Sequence, residues 1–179
     1  PLAGTNAPAA GRTTVCALAP QTWPKPWFSR ASMGGDLGHA IKAAGLDGIV
    51  ITGRAPRPVY LSVQDDDVSL VDAEDLWGRG IMDTQEALRE RYGRRARIAA
   101  IGKAGETLSR IASIGIGEGS AAGQCGFGAV MGSKNLKAVA VLGTGRPQHA
   151  HPEGLRELIR GIAKEYTQDR ENRSRRGRW

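Results

Sequence analysis

"SAAGQCGFGAVMGSKNLKAVAVLG", residues 120–143, holds five glycines, three of them within six positions at Gly123, Gly126 and Gly128, and then becomes an unbroken apolar run. Glycine admits positive φ and lets main chain approach a ligand that a Cβ would hold off. Runs of such residues expose successive N–H groups as an anion-binding concavity, reinforced when a helix begins just after them. The stretch therefore predicts a loop of bare main chain, a short helical turn over 131–136 and a buried strand, "KAVAVLG".

Working outward, "RTTVCAL" (12–18) carries β-branched residues and reads as a strand, whereas the three prolines in 19–35 exclude regular structure there. "DLGHAIKAA" (36–44) reads as a short helix with Asp36 as N-cap and Gly45 as stop. "GIVIT" (48–52) has the composition of an interior strand. "VYLSV" and "VSLVD" around "QDDD" make a hairpin. In "DTQEALRERYG" (83–93), Asp83 can cap a helix reciprocally with Glu86, and Gly93 can end it. "ARIAAIG" is a further buried strand, and 106–116 contains one more. "HPEGLRELIRGIAKEYTQD" (151–169) spaces Leu155, Leu158, Ile159, Ile162 and Tyr166 on one helical face. Strands, a hairpin and few helices point to an α+β domain built on mixed β-sheets.

At 179 residues one ordinary domain is expected. The net charge of +7 overstates the basicity of the body, because "DRENRSRRGRW" (169–179) carries five arginines against two acids. Cys16 and Cys125 are the only thiols, without C-x-x-C spacing, which excludes a disulfide framework and favours a reduced, cytoplasmic setting. No stretch reaches the roughly 18 apolar residues of a membrane span.

Shifting the sequence by 90 residues lays 31–53 over 121–143, so that Ala31 meets Ala121, Gly38 meets Gly128, Leu46 meets Leu136 and Gly53 meets Gly143. Both segments read glycine-rich loop, short helix, buried strand, glycine. The match is either a chance likeness of two loop-helix-strand units or a duplicated unit presenting two equivalent loops to one central ligand.

"GQCGFG" has neither the spacing of G-x-G-x-x-G nor the Lys-Ser/Thr that ends a P-loop, which argues against a mononucleotide site. No H-E-x-x-H or G-x-S-x-G occurs. His39, His149 and His151 read as structural or solvent-facing, Cys125 as a small residue packed among glycines, and Trp23, Trp27, Trp77 and Trp179 as packing or interface residues.

The string "GAVMGSKNLKA" (128–138), with "GTNAPAAGR", "AGLDGIVITGRAPRPVYL", "VDAEDLWG" and "AIGKAGETLSRIA" upstream in order, resembles the N-terminal domain of the aldehyde ferredoxin oxidoreductase family, tungsten enzymes with a bis-pterin cofactor. The resemblance covers residues 2–145. It implies a mixed-sheet base on which two metal-binding pterins lie, related by an approximate two-fold, with magnesium bridging their phosphates. By the same resemblance Arg12 contacts a pterin, Ser32 and the Ala121 carbonyl fall on magnesium-ligand positions, and Gly34, Gly35 and Gly123 lie beside the pterin phosphates. Lys134, Asn135 and Lys137 belong to folding or the anion rim.

Three positions depart from the family pattern. Its arginines flanking A-A-G are here Ser120 and Gln124, which remain cofactor-binding positions but lack charges that pair with phosphate bidentately. Arg30, in the preceding loop, stands in sequence where it restores part of that charge. Ser32 replaces an Asn with a shorter oxygen ligand. Two readings follow. The first is the cofactor-base domain of a tungsten or molybdenum oxidoreductase acting on aldehydes or carboxylic derivatives, for example aromatic thioesters. Residues 1–147 would form that domain, N-terminally incomplete, 148–169 a helix towards downstream domains, and 170–179 a mobile basic tail. Downstream domains or subunits would carry the 4Fe-4S cluster, and a ferredoxin-like carrier would take the electrons, with neither membrane nor nucleic acid involved. Alone, the chain would not turn over substrate. The second is a cofactor-free remnant or binding module whose arginine tail contacts nucleic acid or a protein.

Overall fold

The computed structural model of the chain describes residues 3–5, 7, 10–22, 24–117 and 119–175, the last six by backbone alone. It is an α+β fold with a two-stranded and a six-stranded sheet. β1 (Thr13–Ala19) pairs antiparallel with β2 (Trp27–Met33), joining Thr14 to Ser32, Cys16 to Arg30 and Leu18 to Phe28. The alternation is clean at its inner end: Ala19, Ala31 and Met33 are buried, while Thr14, Cys16, Leu18, Phe28, Arg30 and Ser32 share an exposed face. After α1 (Leu37–Ala43) come the hairpin β3 (Val59–Gln64) and β4 (Asp67–Asp72), then α2 (Ile81–Tyr92) and β5 (Arg97–Ala100). The chain continues through α3 (Lys103–Glu106), β6 (Ile114–Ile116), β7 (Ser120–Ala122), α4 (Phe127–Ser133), β8 (Leu136–Leu142) and α5 (Pro152–Arg175).

The six-stranded sheet runs β4-β3-β8-β5-β6-β7. The β3–β8 contact is parallel and the other four are antiparallel, so the sheet is mixed. β8 lies inside it and is buried on both faces, which is why "LKAVAVL" lacks a polar alternation. Val139 and Val141 face a core with Met33, Leu37, Phe127 and Met131 from α1, α4 and the hairpin. Ala138 and Ala140 face a second core under α2, where Leu88 and Ile98 pack. Each fully buried Leu or Ile there contributes about 1.5–3 kcal/mol relative to exposure.

Several expectations are corrected. Residues 27–33 form β2 despite the prolines, because Pro20, Pro24 and Pro26 all precede the strand and occupy the connection. Residues 48–52 form no strand: Ile49 packs against the first core, but no strand pairs with the run, and Val50 is 91% and Ile51 37% exposed. α2 starts at Ile81 behind Gly80, so Asp83 lies in its first turn and makes no cap. α4 starts at Phe127, earlier than the predicted turn, because Cys125 and Gly126 both adopt positive φ (69° and 68°) and turn the chain into the helix. α5 extends to Arg175 instead of ending at 169.

The 90-residue echo has a structural counterpart. α1 and α4 are both seven-residue helices, at positions related by that offset. The backbone repeats as well: Gly35 (φ 79°) corresponds to Cys125 (φ 69°), and Gly45 (φ 80°) to Asn135 (φ 54°). The echo breaks at the strand, where β8 has two neighbours and residues 48–52 have none.

Candidate cofactor cleft

The two echoing units meet at a cleft of about 600 Å³. Gly11 and Arg12 reach it ahead of β1, Gly34, Gly35 and Asp36 follow β2, and Gly119, Ser120 and Ala121 come from the start of β7. Contact between β2 and β7 brings these segments together. A Cβ at Gly34 would stand 2.9 Å from the Ser120 hydroxyl, so the approach of the two loops depends on the missing side chain. Gly35 holds φ at 79°, where an L side chain is strained.

Among the described residues Arg12 is exposed and makes no ion pair or hydrogen bond, whereas Asp36 pairs with Arg97 at 3.3 Å. Asp36 occupies the N-cap position of α1 but makes no side-chain cap, so its carboxylate is committed to the guanidinium. A free guanidinium, a hydroxyl at Ser120 and close main chain suit an oxygen-rich anion. Such residues fit the phosphate end of a pterin cofactor. Among them no cluster of three or more His, Cys, Asp or Glu side chains able to hold a metal ion occurs.

Of the predicted site residues, Arg12, Gly34, Gly35, Ser120 and Ala121 line the cleft. Ser32 lies outside its lining, on the exposed face of the hairpin, with its hydroxyl 3.5 Å from that of Thr14. Gly123 and Gln124 are exposed beyond the far end of β7. Gly11, Asp36 and Gly119 are additional; the signal for Asp36 was its place directly after Gly34 and Gly35.

Most glycines of the opening stretch serve a different purpose from the one their spacing suggests. A Cβ at Gly126 would lie 1.9 Å from the Arg110 carbonyl oxygen, at Gly132 1.9 Å from that of Gly105, and at Gly143 2.4 Å from that of Ala40. Gly128 similarly lies against the Ser113 carbonyl. Only Gly123 among the five has open space around its α-carbon. The glycines thus let α4 and β8 press against neighbouring backbone, while β7 is positioned by its pairing with β6 and its contact with β2.

The signature cations also belong to folding. Lys134 Nζ donates to the Gly53 carbonyl at 3.0 Å, and Asn135 Nδ2 to that of Ala55 at 2.8 Å, tying 53–55 to the end of α4. Lys137 is fully buried and donates to Glu106 and to the Arg79 carbonyl, so it forms no anion rim. Cys125 packs partly buried against the core, its N–H donating to Gln21 Oε1 at 2.7 Å. His39, His149 and His151 are solvent-facing as expected. Trp27 is 69% exposed and packs poorly, while Trp23 and Trp179 lie outside the described residues.

Residues 1–143 match the family model of the aldehyde ferredoxin oxidoreductase N-terminal domain. The chain belongs to that family. It is 43% identical over 161 residues to a tungsten-containing aldehyde ferredoxin oxidoreductase of Pyrococcus abyssi (strain GE5 / Orsay), a match covering 89% of this chain and 26% of the relative. It is 40% identical over 144 residues to the aliphatic sulfonate oxidoreductase, WOR-like subunit, of Pyrococcus furiosus, covering 73% of this chain and 23% of that one. A solved structure, the active site complex BamBC of benzoyl coenzyme A reductase in complex with 1,5 dienoyl-CoA, superposes with a TM-score of 0.91 at 40% identity. That match covers 96% of this chain and 26% of the other. The chain therefore spans about a quarter of the length of the aldehyde ferredoxin oxidoreductase relatives it matches. No helix among the described residues is long and apolar enough to cross a membrane.

Proposed function

We propose that this chain is the cofactor-seating base of a tungsten or molybdenum bis-pterin oxidoreductase of the aldehyde ferredoxin oxidoreductase family. The observation that carries the reading is the meeting of main chain at Gly34–Gly35 with that at Ser120–Ala121, beside the unpaired guanidinium of Arg12. When bound, the metal-pterin group supplies two-electron chemistry on an aldehyde or a carboxylic derivative, thioesters included. The chain's own residues bind and orient it: Arg12 holds negative charge at the cleft mouth, and Gly34 and Gly35 keep main chain close. The Ser32 hydroxyl and the Ala121 carbonyl offer oxygen to magnesium, a hard cation that takes such ligands. Gly123 and Gln124 border the cofactor from the loop after β7.

Further domains or subunits carrying a 4Fe-4S cluster complete the enzyme, and a ferredoxin-like protein in the cytoplasm takes up the electrons. The tungsten-containing relatives and the benzoyl coenzyme A reductase likeness support this class; they differ in substrate, so the substrate is kept at the level of aldehyde or carboxylic derivative. The test is metal and pterin analysis of the intact enzyme produced with ample tungstate and molybdate. Stoichiometric metal with pterin supports the reading, and loss of both in Arg12→Ala assigns the arginine. A wild-type protein free of both would instead leave the binding-module reading.

A further inference from the structure

The exposed face of the β1–β2 hairpin carries a second free cation. Arg30 stands opposite Cys16 in the antiparallel register, two residues from Ser32 and on the same face. Among the described residues its guanidinium makes no ion pair or hydrogen bond. Arg57, Arg91 and Arg97, by contrast, are paired with Asp72, Asp75 and Asp36. Arg30 also lies next to the second loop, since the Cys125 thiol donates to the Arg30 carbonyl oxygen at 3.7 Å. Gln124 is thus a sequence neighbour of a residue that touches the Arg30 main chain.

Charge on the two sides of this surface is unequal. Ser120 and Gln124, from the β7 side, are neutral, whereas Arg12 and Arg30 flank Ser32 from the hairpin side. Arg30 stands four residues along β2 from Gly34, about 13 Å at the rise of an extended strand. An extended arginine side chain covers only part of that distance, and its planar fork suits phosphate oxygens. An anion lying over both the cleft and the hairpin face therefore meets fixed positive charge at two points on one side only.

We propose that Arg30 is a second anion-holding residue, binding a phosphate of the seated cofactor in place of the charge that Ser120 and Gln124 do not supply. This rests on the cofactor-seating reading above. As an exposed residue midway along β2 it holds the ligand without contributing to the core.

The experiment compares wild type, Arg12→Ala, Arg30→Ala, Arg30→Gln and Arg30→Lys as intact enzymes produced with limiting tungstate. Tungsten and acid-released phosphate per protein are measured, together with binding of inorganic pyrophosphate to the cofactor-stripped forms. Arg30→Ala and Arg30→Gln are expected to weaken cofactor retention and pyrophosphate affinity about tenfold, the range of a hydrogen bond to a charged group. Arg30→Lys keeps part of both, because it retains charge but loses the fork. If wild type and Arg12→Ala differ as expected while the Arg30 variants load tungsten and bind pyrophosphate like wild type, Arg30 has no such role and the broader reading stands. If wild type itself carries neither tungsten nor molybdenum, the broader reading fails and takes this one with it. Should Arg30→Ala not fold, Arg30→Gln decides.

Discussion

Gly132 in α4 lies so close to Gly105 in α3 that a methyl on its α-carbon would sit 1.9 Å from the Gly105 carbonyl oxygen. This contact reverses a general rule. Gly→Ala inside a helix usually gains about 1 kcal/mol, but here α3 and α4 would have to separate, an overpacking that costs about 1–3 kcal/mol or more. Gly132→Ala is therefore expected to lower the melting temperature of the intact protein by roughly 5–10 °C. Gly161→Ala in α5, where nothing lies within 4 Å of the added carbon, should be neutral or mildly stabilising. Thermal unfolding of the two variants side by side checks the contrast, and equal melting temperatures would refute it.

Glu106 and Lys137 form a buried ion pair, with side-chain exposures of 6% and 0%. The Glu106 carboxylate also accepts the Gly78 N–H at 2.9 and 3.0 Å, and Lys137 donates to the Arg79 carbonyl at 2.8 Å. The pair thus ties the 76–80 loop to α3 and β8. Removing one partner leaves the other charged and dry, which typically costs about 3–5 kcal/mol. Lys137→Met should unfold the protein at markedly lower denaturant, whereas Lys137→Met with Glu106→Leu should recover part of the loss. A double-mutant cycle by urea unfolding measures the coupling. Additive losses would mean that the two side chains act independently.

The sequence pattern exposes the interior of the six-stranded sheet because strands buried on both faces, such as β8, read as continuous apolar runs. The same pattern misplaces residues 48–52: "GIVIT" has an interior composition, yet local composition cannot report whether a neighbouring strand is present. β2 is hidden by prolines that stop one residue short of Trp27. At the cleft, the 90-residue echo is only partly informative: it points to Gly34 and Gly35, but their counterparts Gln124 and Cys125 lie outside the lining, which takes Gly119, Ser120 and Ala121 from the start of β7 instead. The glycine count is less so, because Gly126, Gly132 and Gly143 answer to backbones more than 15 residues away in sequence, such as Arg110, Gly105 and Ala40.

Tyr60 gives the fold an alkaline limit. Its ring is 2% exposed, its hydroxyl lies 2.8 Å from that of Tyr92, and the Arg91 guanidinium sits 5.9 Å above the ring. Burial, with the Tyr92 hydrogen bond, raises its phenol above the ordinary 10.0, despite an opposing pull from Arg91. The folded protein thus holds the Tyr60 proton more tightly than the unfolded chain. That contribution is complete below pH 10.0 and disappears as pH rises through the higher folded value. Melting temperature should fall more steeply above about pH 10 in wild type than in Tyr60→Phe. Parallel slopes in the two proteins would show that other groups set the limit.

Gln21 is expected to control the geometry of the second loop from a distance of 104 residues in sequence. Its side-chain carbonyl accepts the Cys125 N–H at 2.7 Å, where Cys125 and Gly126 both hold positive φ before α4 begins. A non-glycine residue in that region is uncommon and is kept there by its surroundings. Gln21→Ala removes the acceptor while leaving the β1–β2 strands intact, since Gln21 lies in their connection. The expected loss of stability is modest, about 0.5–1.5 kcal/mol, towards the lower end because Gln21 is exposed. The larger effect should be local: faster hydrogen exchange at the amides of 123–127, with those of β3 and β5 unchanged. Restoring a carbonyl with Gln21→Asn, whose side chain is one methylene shorter, should not recover protection. Exchange that accelerates uniformly across the sheet would instead mark Gln21 as a global stabiliser and remove its special link to the loop.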